Sequence, residues 1–205
     1  NLKLEKESND ATLKELKYKG TALTENEGTF EIEVDNRLTN IQIDATPNNA
    51  NAKLKVVGSA DYVSTLNGEN VDIDGINYFE IEVLAEDGET IKTYRVNISR
   101  IFNTEIKEVK VDSTEEVTLN NKVYSSFVSP TAENHIIEIT PDNDLAVVTI
   151  YDEDDNVLIT AAGITTLTDS FDEPSKTYKV KVQGPSGFEQ FETEYQVVLT
   201  KRSQD

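Results

Sequence analysis

The chain has 205 residues, 39 acidic against 19 basic side chains and a formal charge of -20, so it repels nucleic acid and anionic lipid. It contains no Cys, Met or Trp, which excludes a disulfide scaffold, a thiol nucleophile and a thiolate metal site. Its length suits one large domain or two of about 100 residues, and no apolar run reaches the length of a membrane span.

Residues 1–10, "NLKLEKESND", alternate at Leu2 and Leu4 and read as a linker or as the closing strand of a preceding repeat. "TLKELK" at 12–17 could pass for one helical turn, with Leu13 and Leu16 three apart. Its later counterpart favours a strand with an irregular start. "TFEIEV" then puts Phe30, Ile32 and Val34 on one face and Glu31 and Glu33 on the other. "IQIDATP" ends at Pro47, a strand is expected at 53–57, and "FEIEV" at 79–83 repeats the alternation. Asp87-Gly88 in "AEDGET" supplies a hairpin turn, and "TYRVNISR" closes the unit with Tyr94, Val96 and Ile98 inward.

The same order then recurs. Leu13 corresponds to Ile106, Pro47 to Pro141, Phe79 to Tyr178 and Tyr94 to Tyr195, with loop insertions absorbing the drift. Two domains follow, 11–101 and 103–202, each of some seven strands; the fold class is all-β, two tandem immunoglobulin-like antiparallel β-sandwich domains. The join "SRIFNTEI" has no Gly or Pro and little slack, so Ile101 and Phe102 are expected to pack between the units. The tyrosines of the two closing strands are expected to pack their rings and bond their hydroxyls at the sandwich edge.

"ATLKELKYKGTAL", "TNIQIDATPNNANAKLKV" and "YFEIEVLAEDGETIKTYRVNISR" resemble the bacterial cadherin-like β-sandwich domain. The pattern is a short L-x-x-L opening, an I-x-A-x-P strand, an A-E-D-G hairpin and a T-Y-x-V-x-I-x-R closing strand. The second unit resembles it at both ends and around Pro141 but lacks the A-E-D-G turn. The resemblance implies tandem immunoglobulin-like sandwiches in secreted or wall-attached proteins of Gram-positive bacteria, which space, display or bind through exposed loops. The D-x-N-D-N linkers of true cadherins are missing, so calcium-dependent rigidity is not implied.

Little in the sequence announces a reaction. In "YDEDDNV", Asp152, Asp154 and Asn156 place oxygens at alternate positions and are the candidate calcium ligands, with "PDND" at 141–144 as further donors should the loops converge. Val157 stands where the helix-loop-helix pattern needs Gly, and Gly163 where it needs Glu. "NVDIDG", with Asp72 and Asp74, is a weaker candidate. The single His135 is expected at the surface or half-buried on its strand, and no nucleophile-elbow motif supports a triad through Ser125, Ser126 or Ser129. Lys14 or Lys17 with Asn97 is the pair to try for an intradomain amide crosslink. Tyr62, Tyr124 and Tyr151 are the candidate sugar-stacking rings. The reading is a non-catalytic spacer or display module, extracellular and cell-surface-associated, with no cofactor beyond candidate calcium. Its partners are neighbouring domains of the same polypeptide, and alternatively a glycan or surface protein; nucleic acid and membrane insertion are not expected.

Overall fold

The computed structural model describes residues 6–114 and 117–203, and among these it contains strands and no helix. The chain divides after Ile101 into two compact units. Leu2 and Leu4, on which the expected closing strand of a preceding repeat rests, lie outside the described residues. Residues 6–10 form no strand.

The first unit has strands β1 (Leu13–Tyr18), β2 (Thr21–Ala22), β3 (Thr29–Asp35), β4 (Asn40–Pro47), β5 (Lys53–Val56), β6 (Leu66–Asp72), β7 (Tyr78–Leu84) and β8 (Ile91–Ile101). They form two sheets, in the orders β2-β1-β4-β6 and β3-β8-β7-β5. Alternation decides what is buried: Phe30, Ile32 and Val34 of β3 and Tyr94, Val96 and Ile98 of β8 all enter one core with Leu16, Ile43 and Ile81. Each such apolar side chain contributes about 1.5–3 kcal/mol by leaving water. The irregular start expected of the first strand is a register shift between Leu13 and Glu15 where β1 meets β4. The strand order, first-fourth-sixth facing fifth-seventh-eighth, is that of an immunoglobulin sandwich.

The second unit repeats the plan with β9 (Ile106–Val111), β10 (Thr118–Asn120), β11 (Val123–Val128), β12 (His135–Pro141), β13 (Val147–Tyr151), β14 (Val157–Ala162), β15 (Thr165–Asp169), β16 (Ser175–Gln183) and β17 (Glu192–Lys201). Its sheets run β15-β12-β9 and β10-β11-β17-β16-β13-β14. The irregular pairing recurs in register: Leu13 faces Pro47 in the first unit and Ile106 faces Pro141 in the second.

Two features depart from the sequence expectation. Alongside the antiparallel ladders, β3 runs parallel to β8 and β11 parallel to β17. In each unit the chain leaves the first sheet early, crosses to the other and lies beside the closing strand in the same direction. Such a pairing needs a long connection instead of a hairpin, and the intervening strands provide it. The drift of the repeat between the fifth and seventh strands also has a structural cause. It is the added strand β14, paired with β13, where the first unit has only a loop that returns to bridge Leu54 with Val63.

His135 is a correction. It lies inside the second core at 2% exposure, not at the surface. Its Nδ1 sits 2.8 Å from the Asp112 carboxylate and its ring packs against Phe171 at 5.4 Å. A carboxylate on the neighbouring strand end satisfies one ring nitrogen, which lets an inward strand position hold a histidine.

Candidate functional site

The motif residues gather at the ends of the sandwiches. In the first unit, the Glu86 carboxylate of A-E-D-G accepts hydrogen bonds from the Ser8 amide at 3.2 Å, Asn49 Nδ2 at 3.4 Å and Asn51 Nδ2 at 2.8 Å. The Ser8 N–H, followed by the Asn51 and Asn49 amides, holds Glu86 below the usual carboxylate range. Asp87 closes its own turn by accepting from the Thr90 hydroxyl and amide, with Gly88 at φ 69° as the hairpin requires. The A-E-D-G segment is therefore a polar clasp that ties the chain entry and the 48–51 loop to the closing hairpin.

The second unit keeps part of this device and replaces the rest. Asp10 accepts from the Thr12 amide and from Asn48 Nδ2. At the corresponding place the amide and acid are exchanged: Asn103 Oδ1 accepts from the Glu105 amide and Asn103 Nδ2 donates to Asp142 at 2.8 Å. Where the first unit has the Glu86 clasp, the second has aromatic rings: Phe102 lies 5.6 Å from Phe188, and Phe188 lies 6.2 Å from Phe191. Gly184 is needed beneath them, because a Cβ there would stand 2.3 Å from the Phe188 carbonyl oxygen. This is why the second unit can lack A-E-D-G and still close.

The tyrosines expected at the sandwich edge do bond there. Tyr94 is fully buried and its hydroxyl accepts from the Leu13 amide at 3.0 Å. Tyr195 is buried too, and its hydroxyl donates to the Thr104 carbonyl at 3.2 Å. Arg100, at the end of the same motif, donates to the carbonyls of Leu38 at 2.8 Å and Ile73 at 2.6 Å. Lys201 stands in its place in the second unit and donates to the Phe171 carbonyl. The partners of Arg100 lie far from it in the chain, so the closing-strand pattern alone does not reveal them.

Ile101 ends β8 with its side chain 36% exposed, and its carbonyl accepts from the Asn36 amide at 2.9 Å. Phe102 is buried at 4% and belongs to the second unit's own core.

Tyr178 of β16, fully buried, donates its hydroxyl to Asp169 at 3.1 Å. Lys176 Nζ and the Ser170 amide also donate to Asp169, at 2.7 and 2.8 Å. Burial alone would raise the Asp169 pKa, but Lys176, Ser170 and Tyr178 outweigh it and hold the carboxyl below its ordinary value. The depressed value contributes stability that is complete above the unfolded carboxylate pKa of about 3.9 and is lost as pH falls through the lower folded value. Asp169→Ala should cost roughly 2 kcal/mol at neutral pH, because the buried Tyr178 hydroxyl loses its acceptor. The deficit should shrink on acidification; urea unfolding at neutral and acid pH measures both.

The candidate calcium residues share one turn between β13 and β14 but do not form a cage. Asp152 Oδ1 accepts from the Asp154 and Asn156 amides, and Oδ2 from Asn156 Nδ2 at 2.9 Å. Hydrogen bonds from Asn156, the largest of these influences, keep Asp152 acidic. Asp142, Asn143 and Asp144 lie before β13 and the turn after it, so that strand separates the two loops. Among the described residues no three His, Cys, Asp or Glu side chains converge. Removing calcium with EDTA should leave the melting temperature unchanged in scanning calorimetry, and a shift of several degrees would show a bound ion.

The other sequence candidates separate. His135 Nε2 is buried, and among the described residues it has no hydrogen-bond partner and no serine hydroxyl engages it. Lys17 pairs with Glu15 on the sheet of β1, while Asn97 Nδ2 donates to Glu31 on the opposite sheet, which keeps the trial crosslink pair apart. Tyr124 is buried in the core, 6.1 Å from Tyr195. Tyr62 is half-buried under Lys55 and donates to Glu82, and that bond, with burial, pushes its pKa up to about 12. Tyr151 lines an open trough of about 790 Å³ with Lys122, Lys179, Lys181, Glu194 and Gln196. Two of its lysines are already paired, Lys179 with Asp155 and Lys181 with Glu192.

Comparison with known proteins follows the same division. The tandem titin domains Z1Z2 in complex with telethonin align at 9% identity with a TM-score of 0.36, covering 85% of this chain and 92% of that one. The N-terminal four Ig domains of Dscam1 isoform 6.9 align at 10% identity with a TM-score of 0.36, covering 85% of this chain and 43% of that one. No curated protein matches the chain in sequence. The family description "Cadherin-like beta sandwich domain" matches residues 10–101, the span that holds the clasp, the edge tyrosine and Arg100. Residues 10–101 are thus a cadherin-like β-sandwich domain, followed in the same chain by a second immunoglobulin-like β-sandwich.

Proposed function

We propose that the two units act as a non-catalytic spacer and display module of an extracellular, cell-surface-associated bacterial multidomain protein, with neighbouring domains of the same polypeptide as their partners. The observation that carries this reading is the join. Ile101 is tied by its carbonyl to Asn36 of the first unit, and the next residue, Phe102, is buried in the second core. Asn103, Thr104 and Glu105 are then held within the second unit by Asp142, Tyr195 and the Asn103 side chain. A join without a free residue restricts reorientation in a way that a Gly/Ser tether does not. Amide ¹⁵N relaxation on the whole chain tests it: both units should report one shared rotational correlation time. Two independent times, each suited to a unit of half the mass, would sink the spacer reading.

A binding role for a glycan is the second reading, and the trough beside Tyr151 favours it. Sugar C–H faces stack on rings, and the paired lysines and acids around this ring offer donors and acceptors to hydroxyls. Saturable signals on a glycan array that vanish with Tyr151→Ala would support it; a blank array would leave the trough a surface feature.

A further inference from the structure

We propose that β14 is a docking edge for an extended segment of another protein, one whose short uncharged stretch is bounded at each end by a lysine or arginine. An edge strand presents unpaired N–H and C=O groups, and soluble proteins protect such edges with charge, brevity, bulges or covering loops. Among the described edge strands longer than three residues, β14 alone carries no charge; it reads VLITAA. The others carry charge at Glu33 of β3, Lys55 of β5, Glu69 of β6, Lys107 of β9 and Asp169 of β15. The ladder leaves the outer side of β14 open. The Gly163 amide donates to the Ala146 carbonyl, and the pairing continues with Ala162 opposite Val147, Ala161 opposite Val148 and Thr160 opposite Thr149. Bonded and unbonded pairs alternate along an antiparallel ladder, so Thr160 and Ala162 turn their main-chain groups away from β13. Among the described residues no hydrogen bond meets those groups, and both residues are exposed. The corresponding side of the first unit is shut, since Leu54 exchanges main-chain hydrogen bonds with Val63 at 2.8 and 2.9 Å.

Charge selects the occupant. The strand itself is neutral, but both of its ends are acidic. Asp154 stands in the turn that leads into β14. Past the other end, a Cβ on Gly163 would lie 3.1 Å from the Asp144 carbonyl oxygen. Both aspartates are exposed, and among the described residues neither forms an ion pair. A strand laid along this edge therefore meets an acid near each end, and the six residues of β14 span roughly 20 Å between them. Two basic side chains about six positions apart on the incoming strand match that spacing, whereas acids there would be repelled. A second copy of this chain is disfavoured on the same ground, since it brings its own acidic ends and a formal charge of -20. That net charge instead draws a cationic segment towards the surface. The open main chain supplies affinity without regard to sequence, and the acidic ends supply the choice of partner. One added strand of this length falls short of the ~1,200 Å² of a standard stable interface, so the complex belongs to the weak, transient class.

Titration of the whole ¹⁵N-labelled chain with the capped peptide KTVTVTK tests this. The expected result is saturable binding that salt weakens, with amide exchange at Thr160 and Ala162 slowed in the bound state. Two control peptides separate the two requirements. ETVTVTE keeps the strand and reverses the charge; KTVPVTK keeps the charge and breaks the strand, because proline removes a donor from the ladder. Each should bind at least about tenfold more weakly than KTVTVTK. The double variant Asp144→Asn with Asp154→Asn changes only exposed side chains and should leave the melting temperature in place. It should weaken KTVTVTK binding by about tenfold. The proposal is overturned if millimolar KTVTVTK leaves the Thr160 and Ala162 amides unprotected, or if KTVPVTK or ETVTVTE binds as well as KTVTVTK. It is equally overturned if the double variant binds like the parent, or if these amides slow on raising the protein concentration without peptide, which would make a second copy the occupant.

Discussion

Phe102→Ala should lower the melting temperature of the second unit by roughly 15 °C and leave that of the first unchanged. The ring is 4% exposed and packs against Phe188, which in turn touches Phe191. Truncating a buried phenylalanine costs about 3–5 kcal/mol, through lost transfer energy and the cavity left behind. Collapse into that cavity is limited. The 184–191 hairpin is fixed by the Gly184 amide bonded to the Phe191 carbonyl and by the tight seat of Phe188 over Gly184. Calorimetry with each transition assigned by amide signals is the measurement. A joint fall of both units would mean that Phe102 supports the pair and not the second core.

Arg100→Ala should do the reverse, destabilising the first unit by about 2 kcal/mol, or roughly 10 °C, with the second unaffected. The guanidinium reaches the carbonyls of Leu38 and Ile73, which belong to two different turns, and water can replace only part of what it supplies at a half-buried site. Its fork lets one side chain hold both carbonyls, which an ammonium group does less well. Arg100→Lys should therefore recover about half the loss, because an ammonium group remakes only part of the set that the guanidinium gives to Leu38, Ile73 and, at 3.5 Å, Asn36. The second unit already shows the lysine solution, with Lys201 on the single carbonyl of Phe171. Chemical denaturation of both variants distinguishes these outcomes; equal losses for Lys and Ala would show that packing of the side chain, and not its fork, matters.

The candidate site was legible in unequal parts. Tyr94 and Tyr195 could be picked out because both sit at the same place in a repeated, alternating strand, and both bond to the chain entry of their own unit. The A-E-D-G turn could be seen, but not that Glu86 would collect Ser8, Asn49 and Asn51, since those donors come from two other segments. The acidic run 152–155 looked like a row of ligands in one dimension. In three dimensions Asp152 serves its own turn, and a short loop can satisfy a carboxylate without any ion.

Alternation with a period of two, turn residues at Gly88 and the twofold recurrence of Leu13, Pro47 and Tyr94 are local properties of the chain. They were enough to establish an all-β protein of two like sandwiches and to name part of each core, Phe30, Ile32, Val34, Tyr94, Val96 and Ile98 in the first and Tyr178 and Tyr195 in the second. Partners distant in sequence leave no such local trace. The parallel pairing of β3 with β8, the burial of His135 against Asp112, the reach of Arg100 and the open edge of β14 came from the folded arrangement alone. The physical reason is that strand alternation records which face is dry, whereas the neighbour across a ladder or a turn is set by how the whole chain packs.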